Sequence, residues 1–138
     1  ATPAPALEDV GSIIIAVATD APLLPQQLKR LARRATMGLA RTGSTSGNSS
    51  GDLFLAFSTA NPGAARPSGI AHLKMLPNNQ MNLLFSATVE ATEEAIVNAL
   101  VAAETMTGVN NHTVVALPHD RLREALKKYN RLSEKTAP

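Results

Sequence analysis

A layered α/β fold is what this sequence predicts, and three observations carry it. Two β-rich apolar runs, SIIIAVAT and DLFLAFSTAN, sit about one helix apart in the chain. Between them lies an amphipathic stretch of helical length. The elements then continue in the order β-α-β-β-α-β-α, which belongs to mixed α/β layers rather than to an all-helical or all-β architecture.

Each element has its own local reason. Ala1 to Gly11 is rich in Pro and Ala and ends in Glu8 and Asp9, so it reads as a linker or tail. From Ser12 to Thr19 the apolar character is nearly continuous through Ile13, Ile14, Ile15 and Val17, which predicts a strand covered on both faces. Asp20-Ala21-Pro22 ends it. Pro25 suits a first helical turn. Leu28, Leu31, Ala32, Ala35 and Leu39 then share one face, and Lys29, Arg30, Arg33 and Arg34 the other. Gly43 supplies the stop.

The polar loop TGSTSGNSSG, from Thr42 to Gly51, leads straight into the second strand. A Ser/Gly loop between a helix and a buried strand is a candidate site, because its hydroxyls and backbone converge on one place. Asn61-Pro62-Gly63 is a turn, Gly69 to Leu76 a candidate third strand, and Pro77-Asn78-Asn79 another turn. Thr92, followed by Glu93 and Glu94, is read as a helix N-cap. Ile96, Ala99, Leu100 and Ala103 form its apolar stripe, Glu104 to Thr107 its end and Gly108 its stop. HTVVALP is a short strand. Pro118 opens a last helix carrying Leu122, Ala125, Leu126 and Tyr129, and a polar tail runs from Arg131.

Composition narrows the chemistry. The 138 residues are one domain's worth, 44% hydrophobic and 17% charged. A net charge of +2 and an aromatic content of 3% offer neither the basic patch nor the stacking platforms of a nucleic-acid binder. With no cysteine, disulfides and thiolate chemistry are excluded. No apolar run has the length of a membrane span. His72, His112 and His119 lack metal-ligand spacing, so neither a metal nor a cofactor is expected. The basic helix face could bind phosphate or an acidic partner, but a solvated face is the default reading and a subunit interface the next.

Two constellations carry possible chemistry. Ser12 follows Gly11 and opens a strand. A serine hydroxyl needs a base before it can attack. A free α-amine, with a pKa of about 7.7–8.0, is such a base when the serine is itself N-terminal. Gly11 leaves the preceding carbonyl unshielded. On spacing alone, an ordinary strand-entry serine is the commoner case. Ser50-Gly51-Asp52 places a hydroxyl and an acid at the next strand entry, where Asp52 could hold an ammonium or tune a hydroxyl network. A serine-rich turn with an Asp is the equal alternative.

Taken together, four segments resemble one family. GSIIIAVATDAPLLPQQLKRLARRATMGLARTG, GNSSGDLFLAFSTAN, ATEEAIVNALVAAETMTG and HTVVALP are similar, in order and spacing, to the β-chain of the DmpA-type aminopeptidases. That group comprises the L-aminopeptidase/D-amidase/esterases and the β-peptidyl aminopeptidases. The resemblance runs from Gly11 to about Tyr129. It implies a four-layer αββα sandwich, shared with ornithine acetyltransferase, of which this chain is a part. It also implies a precursor that cuts itself at Gly11-Ser12, and α- and β-chains that stay together in oligomers of αβ units. Ser12 is then the nucleophile, and Ser50 and Asp52 the assisting pair; some members have Glu in place of Asp52.

On that resemblance residues 1–11 are the linker or tail of the α-portion, 12–130 the catalytic β-chain and 131–138 a C-terminal tail. The implied activity is release of N-terminal residues from peptides, amides or esters through a Ser12 acyl-enzyme, with no cofactor and no nucleic-acid or membrane partner. Two rival expectations stand beside it. One is an acyltransferase of the same fold, against which the serine nucleophile argues, because the ornithine acetyltransferases use threonine. The other is a non-catalytic assembly subunit, against which the joint presence of Ser12, Ser50 and Asp52 argues.

Overall fold

The structure, a computed structural model, describes residues 11–133. Residues 1–10 of the linker expected over 1–11, and the end of the expected tail, 134–138, lie outside them. Contacts divide the chain into two compact units, Ala1–Ala95 and Ile96–Pro138.

The first unit is built on a β-α-β turn of chain. Strand β1 (Ile14–Thr19) leads into helix α1 (Pro25–Arg41), which returns the chain to β2 (Leu53–Ser58). The two strands pair in parallel, with Ile14 opposite Leu53 and Thr19 opposite Ser58. A parallel pair needs such a crossover, because a hairpin cannot return the chain in the same direction.

Helix α1 starts at Pro25, as its fixed φ favours. Gln27 secures that start. Its Oε1 accepts the Leu24 N–H at 3.1 Å, and its Nε2 donates to the Leu76 carbonyl at 2.8 Å and to Asn78 Oδ1 at 3.0 Å. The side chain is only 1% exposed, and these three bonds are what make burying an amide tolerable. At the other end Gly43, at φ +101, takes the left-handed position that closes a helix, and its N–H donates to the Ala40 carbonyl at 3.0 Å.

The core forms where α1 meets the helix that follows. Leu31, Ala32, Ala35 and Leu39 of α1 are buried, together with Leu23, Met81, Phe85 and Val89. Val17 and Ala56, on one face of the strand pair, pack against the cluster of Leu23, Leu31, Met81 and Phe85. Burying one such side chain is worth about 1.5–3 kcal/mol. The basic face of α1 is only partly solvated. Lys29 and Arg33 are exposed, but the guanidinium groups of Arg30 and Arg34 lie 5.1 and 4.1 Å from the centre of the Phe85 ring, and their stems cover it.

Three of the expected elements change. The helix assigned to a start at Thr92 begins at Met81, after a 3₁₀ turn over Asn78–Gln80, and runs to Ala102 as α2. Met81, Phe85, Thr88, Val89 and Thr92 fall on one buried stripe, so Thr92 is a packing residue inside the helix rather than its cap. Next, Gly69 to Leu76 is not a strand. The Asn61 side chain satisfies both the N–H and the carbonyl of Lys74, at 2.8 and 3.1 Å, and the Leu76 N–H donates to the Pro22 carbonyl at 2.7 Å. Those bonds hold the segment without a ladder. The last change is at the end of α2. Met106–Thr107 is a strand, β3, instead of helix. Gly108 is extended and sits in the β3–β4 connection.

In the second unit β3 pairs antiparallel with β4 (Thr113–Val114), and the Thr107 and Thr113 hydroxyls meet at 2.9 Å. Helix α3 (His119–Lys128) follows Pro118. None of the described residues from Ile96 onward is buried. Leu100, Met106, Val114, Val115 and Tyr129 are all exposed.

The faces of β1 and β2 differ in the same way. Residues 15, 17, 19 and 54, 56, 58 are half-buried, while the alternate positions are exposed. Ile14 is 69%, Leu53 60%, Leu55 47% and Phe57 48% exposed. A strand expected to be covered on both faces is thus covered on one within this chain.

The α1–α2 contact yields a test. A Cβ on Gly38 would meet Thr92 Cβ and the Val89 carbonyl oxygen at 2.6 Å. Alanine brings about 1 kcal/mol of helix propensity, but overpacking against backbone typically costs ~1–3 kcal/mol. Gly38→Ala is expected to lower Tm, and Gly38→Val to lower it further.

Candidate active site

Parallel pairing sets the starts of β1 and β2 side by side. Ser12 stands two residues before Ile14, and Gly51 two before its partner Leu53. The Gly51 N–H donates to Ser12 Oγ at 2.9 Å. Its small size matters here, since a Cβ at this position would lie 3.2 Å from that oxygen.

Residue 13 is tied to the second strand twice. The Leu53 N–H donates to the Ile13 carbonyl at 2.9 Å, and the Ile13 N–H donates to Asp52 Oδ1 at 3.0 Å. The carboxylate therefore takes the place of a ladder acceptor at the last rung. It grips the peptide that immediately follows Ser12.

The serine-rich loop completes the environment of Asp52. Ser46 donates its hydroxyl to Asp52 Oδ2 at 2.8 Å. The Ser50 side chain also hydrogen-bonds to the carboxylate. The loop curls back on itself to allow this. The Ser50 N–H donates to the Gly47 carbonyl at 2.9 Å, the Ser46 N–H donates to Ser44 Oγ at 3.2 Å, and Ser46 sits at φ +47. The Ser50 hydroxyl, then that of Ser46, then the Ile13 N–H together hold the Asp52 carboxyl below its ordinary value, against a small opposing effect of desolvation.

Ser12 and the Ser50-Gly51-Asp52 step, singled out as two constellations in the sequence, thus meet at one edge of the strand pair. Gly11 stands beside them and is exposed, as is Ser12. Ser46 was not singled out. Its signal was the loop composition, which marks several serines equally and does not say which one reaches back six residues. His72 lies in the irregular segment after β2, and in the second unit His119 Nε2 is 3.0 Å from the Val101 carbonyl oxygen. The site is a hydroxyl held by a backbone donor, beside a carboxylate whose pKa neighbouring hydroxyls lower. Such an arrangement orients an oxygen nucleophile and can stabilise a cation formed near it.

Residues 2–114 match the model of peptidase family S58. The chain belongs to this family. Among curated relatives, the S58 chain is 54% identical over 124 residues to a β-peptidyl aminopeptidase of Sphingosinicella microcystinivorans, covering 89% of this chain and 31% of the relative. It is 50% identical over 122 residues to that of Sphingosinicella xenopeptidilytica, covering 87% and 30%. Among solved structures it superimposes with a TM-score of 0.78, at 47% identity, on the L-aminopeptidase D-Ala-esterase/amidase of Ochrobactrum anthropi, described as a prototype serine aminopeptidase and a variant of the Ntn hydrolase fold. That match covers 88% of this chain and 35% of the other. A Burkholderia β-aminopeptidase gives a TM-score of 0.74 at 48% identity, covering 85% and 35%. The S58 chain therefore has the α/β fold of the DmpA-type aminopeptidases and spans about a third of the length of these relatives.

The lowered carboxyl has a consequence for stability. A group whose folded pKa lies below its unfolded value contributes stability above the unfolded pKa and loses it as pH falls through the folded one. Asp52→Asn is expected to lower Tm at pH 7, with the difference from wild type shrinking steadily below the ordinary carboxylate range. A Tm difference that stays constant into strong acid would contradict this origin.

Proposed function

We propose that this S58 chain is the β-chain of a self-processing serine aminopeptidase, with Ser12 as nucleophile and Ser50 and Asp52 as its assisting pair. The observation that carries the reading is the convergence at the strand edge. Ser12 Oγ receives the Gly51 N–H at 2.9 Å, and Asp52 holds the next peptide at 3.0 Å. The names of the S58 relatives support the reaction class, and the exposure of Gly11 and Ser12 supports an accessible cleavage bond.

Processing begins when Ser12 Oγ attacks the Gly11 carbonyl carbon. The C–N bond to Ser12 breaks as the ester forms, and the proton lost from the hydroxyl passes to the departing nitrogen. Water then hydrolyses the ester, leaving the Gly11 carboxylate and a free Ser12 α-amine. Until that cut the nitrogen is an amide and cannot act as a base.

In turnover Ser12 Oγ attacks the carbonyl of a substrate's N-terminal residue, and its proton passes through the α-amine, with Ser50 and Asp52, to the leaving amine. Water releases the N-terminal residue from the acyl-enzyme. Peptides, aminoacyl amides and esters fit this chemistry, and the relatives' names support β-amino acids at the N-terminal position. The chain's own groups orient Ser12 and move the proton. The donors for the oxyanion, each worth ~10²–10³ in rate, are assigned to a companion α-chain, with several αβ units forming the whole enzyme.

The length of the relatives supports that partner, as does the bare strand face of Ile14, Leu53, Leu55 and Phe57. Contiguous apolar surface of this kind marks an interface. Coexpressed with the companion chain, Phe57→Asp is expected to lose the complex on gel filtration, while Lys29→Asp keeps it.

The decisive experiment is Ser12→Ala. Intact mass and N-terminal sequencing are expected to find wild type beginning at Ser12 and the variant uncut. Hydrolysis of an aminoacyl anilide by the variant is expected to fall to background. Turnover equal to wild type would sink the reading. Product analysis with an added acceptor amine separates hydrolysis from acyl transfer.

A further inference from the structure

Asp52 has two oxygens with two different partners. Oδ1 takes the Ile13 N–H at 3.0 Å, a bond to the strand itself. Oδ2 takes the Ser46 hydroxyl at 2.8 Å. One anchored oxygen still lets a carboxylate swing about its Cβ–Cγ bond, and the second anchor stops it. Ser50 also bonds to this carboxylate, but it is assigned a share in proton movement and so cannot be a fixed support throughout the reaction.

Ser46 is placed for this task at a cost. It sits at φ +47, a left-handed conformation that glycine takes freely and a residue with a Cβ does not. Ser44 Oγ accepts its N–H at 3.2 Å and holds the turn. The loop has glycine at 43, 47 and 51, yet a serine occupies this strained place, where its hydroxyl meets the acid.

We infer that Ser46 is a positioning residue of the site, its hydroxyl locking the Asp52 carboxylate in the orientation that grips the peptide after Ser12. The inference rests on the proposed role of Ser12 and Asp52 and extends it to the loop. The groups facing Asp52 are the Ser50 and Ser46 hydroxyls and the Ile13 N–H, with no charged side chain among those that shift it. The Ser12 α-amine joins them once the Gly11-Ser12 bond is cut. Ser46 is therefore one of two hydroxyls that hold the acid below its ordinary value. Without it the carboxyl protonates at higher pH.

The test is Ser46→Gly in the full enzyme, with Ser12→Ala beside it. Glycine removes the hydroxyl and suits the positive φ, so the fold is expected to hold, with any loss of Tm at pH 7 smaller than that of Asp52→Asn. Loss of a hydrogen bond to a charged group predicts a fall in kcat of about 10-fold or more, with KM within about twofold. The titration of the Asp52 carboxyl, followed by carbon NMR, is expected to move to higher pH. The inference is overturned if Ser46→Gly matches wild type in kcat and in the Asp52 titration while Ser12→Ala is inactive. A fall in activity with an unmoved Asp52 titration, or an insoluble Ser46→Gly protein, overturns it too, since either would make Ser46 a folding residue. If Ser12→Ala is itself active, the nucleophile assignment fails first.

Discussion

The parallel pairing of β1 with β2 is the constraint on which the rest depends. Parallel strands start at the same edge, so whatever precedes each strand in sequence is brought together in space. Here that is Gly11-Ser12 on one side and Ser50-Gly51-Asp52 on the other. The pairing also demands the α1 crossover, which supplies the buried face of Leu31, Ala35 and Leu39. Site and core are consequences of one arrangement.

The edge is finished by side-chain chemistry rather than by more sheet. Asp52 accepts the Ile13 N–H where a further strand residue would otherwise have offered a carbonyl. A carboxylate in that position does two things. It satisfies a backbone donor at the end of the ladder, and it places a negative charge beside the residue following Ser12. The loop hydroxyls that keep it ionised belong to the same Ser/Gly stretch that links α1 to β2. The linker between two structural elements is thus part of the electrostatics of the site.

Much of the second unit and one strand face look unfinished in this chain. Leu100, Val114 and Val115 are exposed, as are Leu55 and Phe57. Apolar patterning is written into the sequence at these places, but a pattern marks surface suited to burial and does not say what covers it. That is why the continuous apolar run of β1 suggested two covered faces and only one is covered here. The two curated family S58 relatives are about three times as long.

By itself the sequence determined the two long strands, helix α1 with its Pro25 start and Gly43 stop, and the three residues that stand at the strand entries. These are local or periodic signals, and periodicity and caps are properties of a short stretch of chain. Only the tertiary structure decided that α2 begins at Met81. Thr92 with two following glutamates carries a cap signal, but the contact with Gly38 buries it as helix interior. Only the tertiary structure, likewise, gave Gly69 to Leu76 to the Asn61 side chain and Ser46 to Asp52. A hydrogen bond across the fold leaves no period behind it, and one serine among four in TGSTSGNSSG is distinguished only by where the turn aims it.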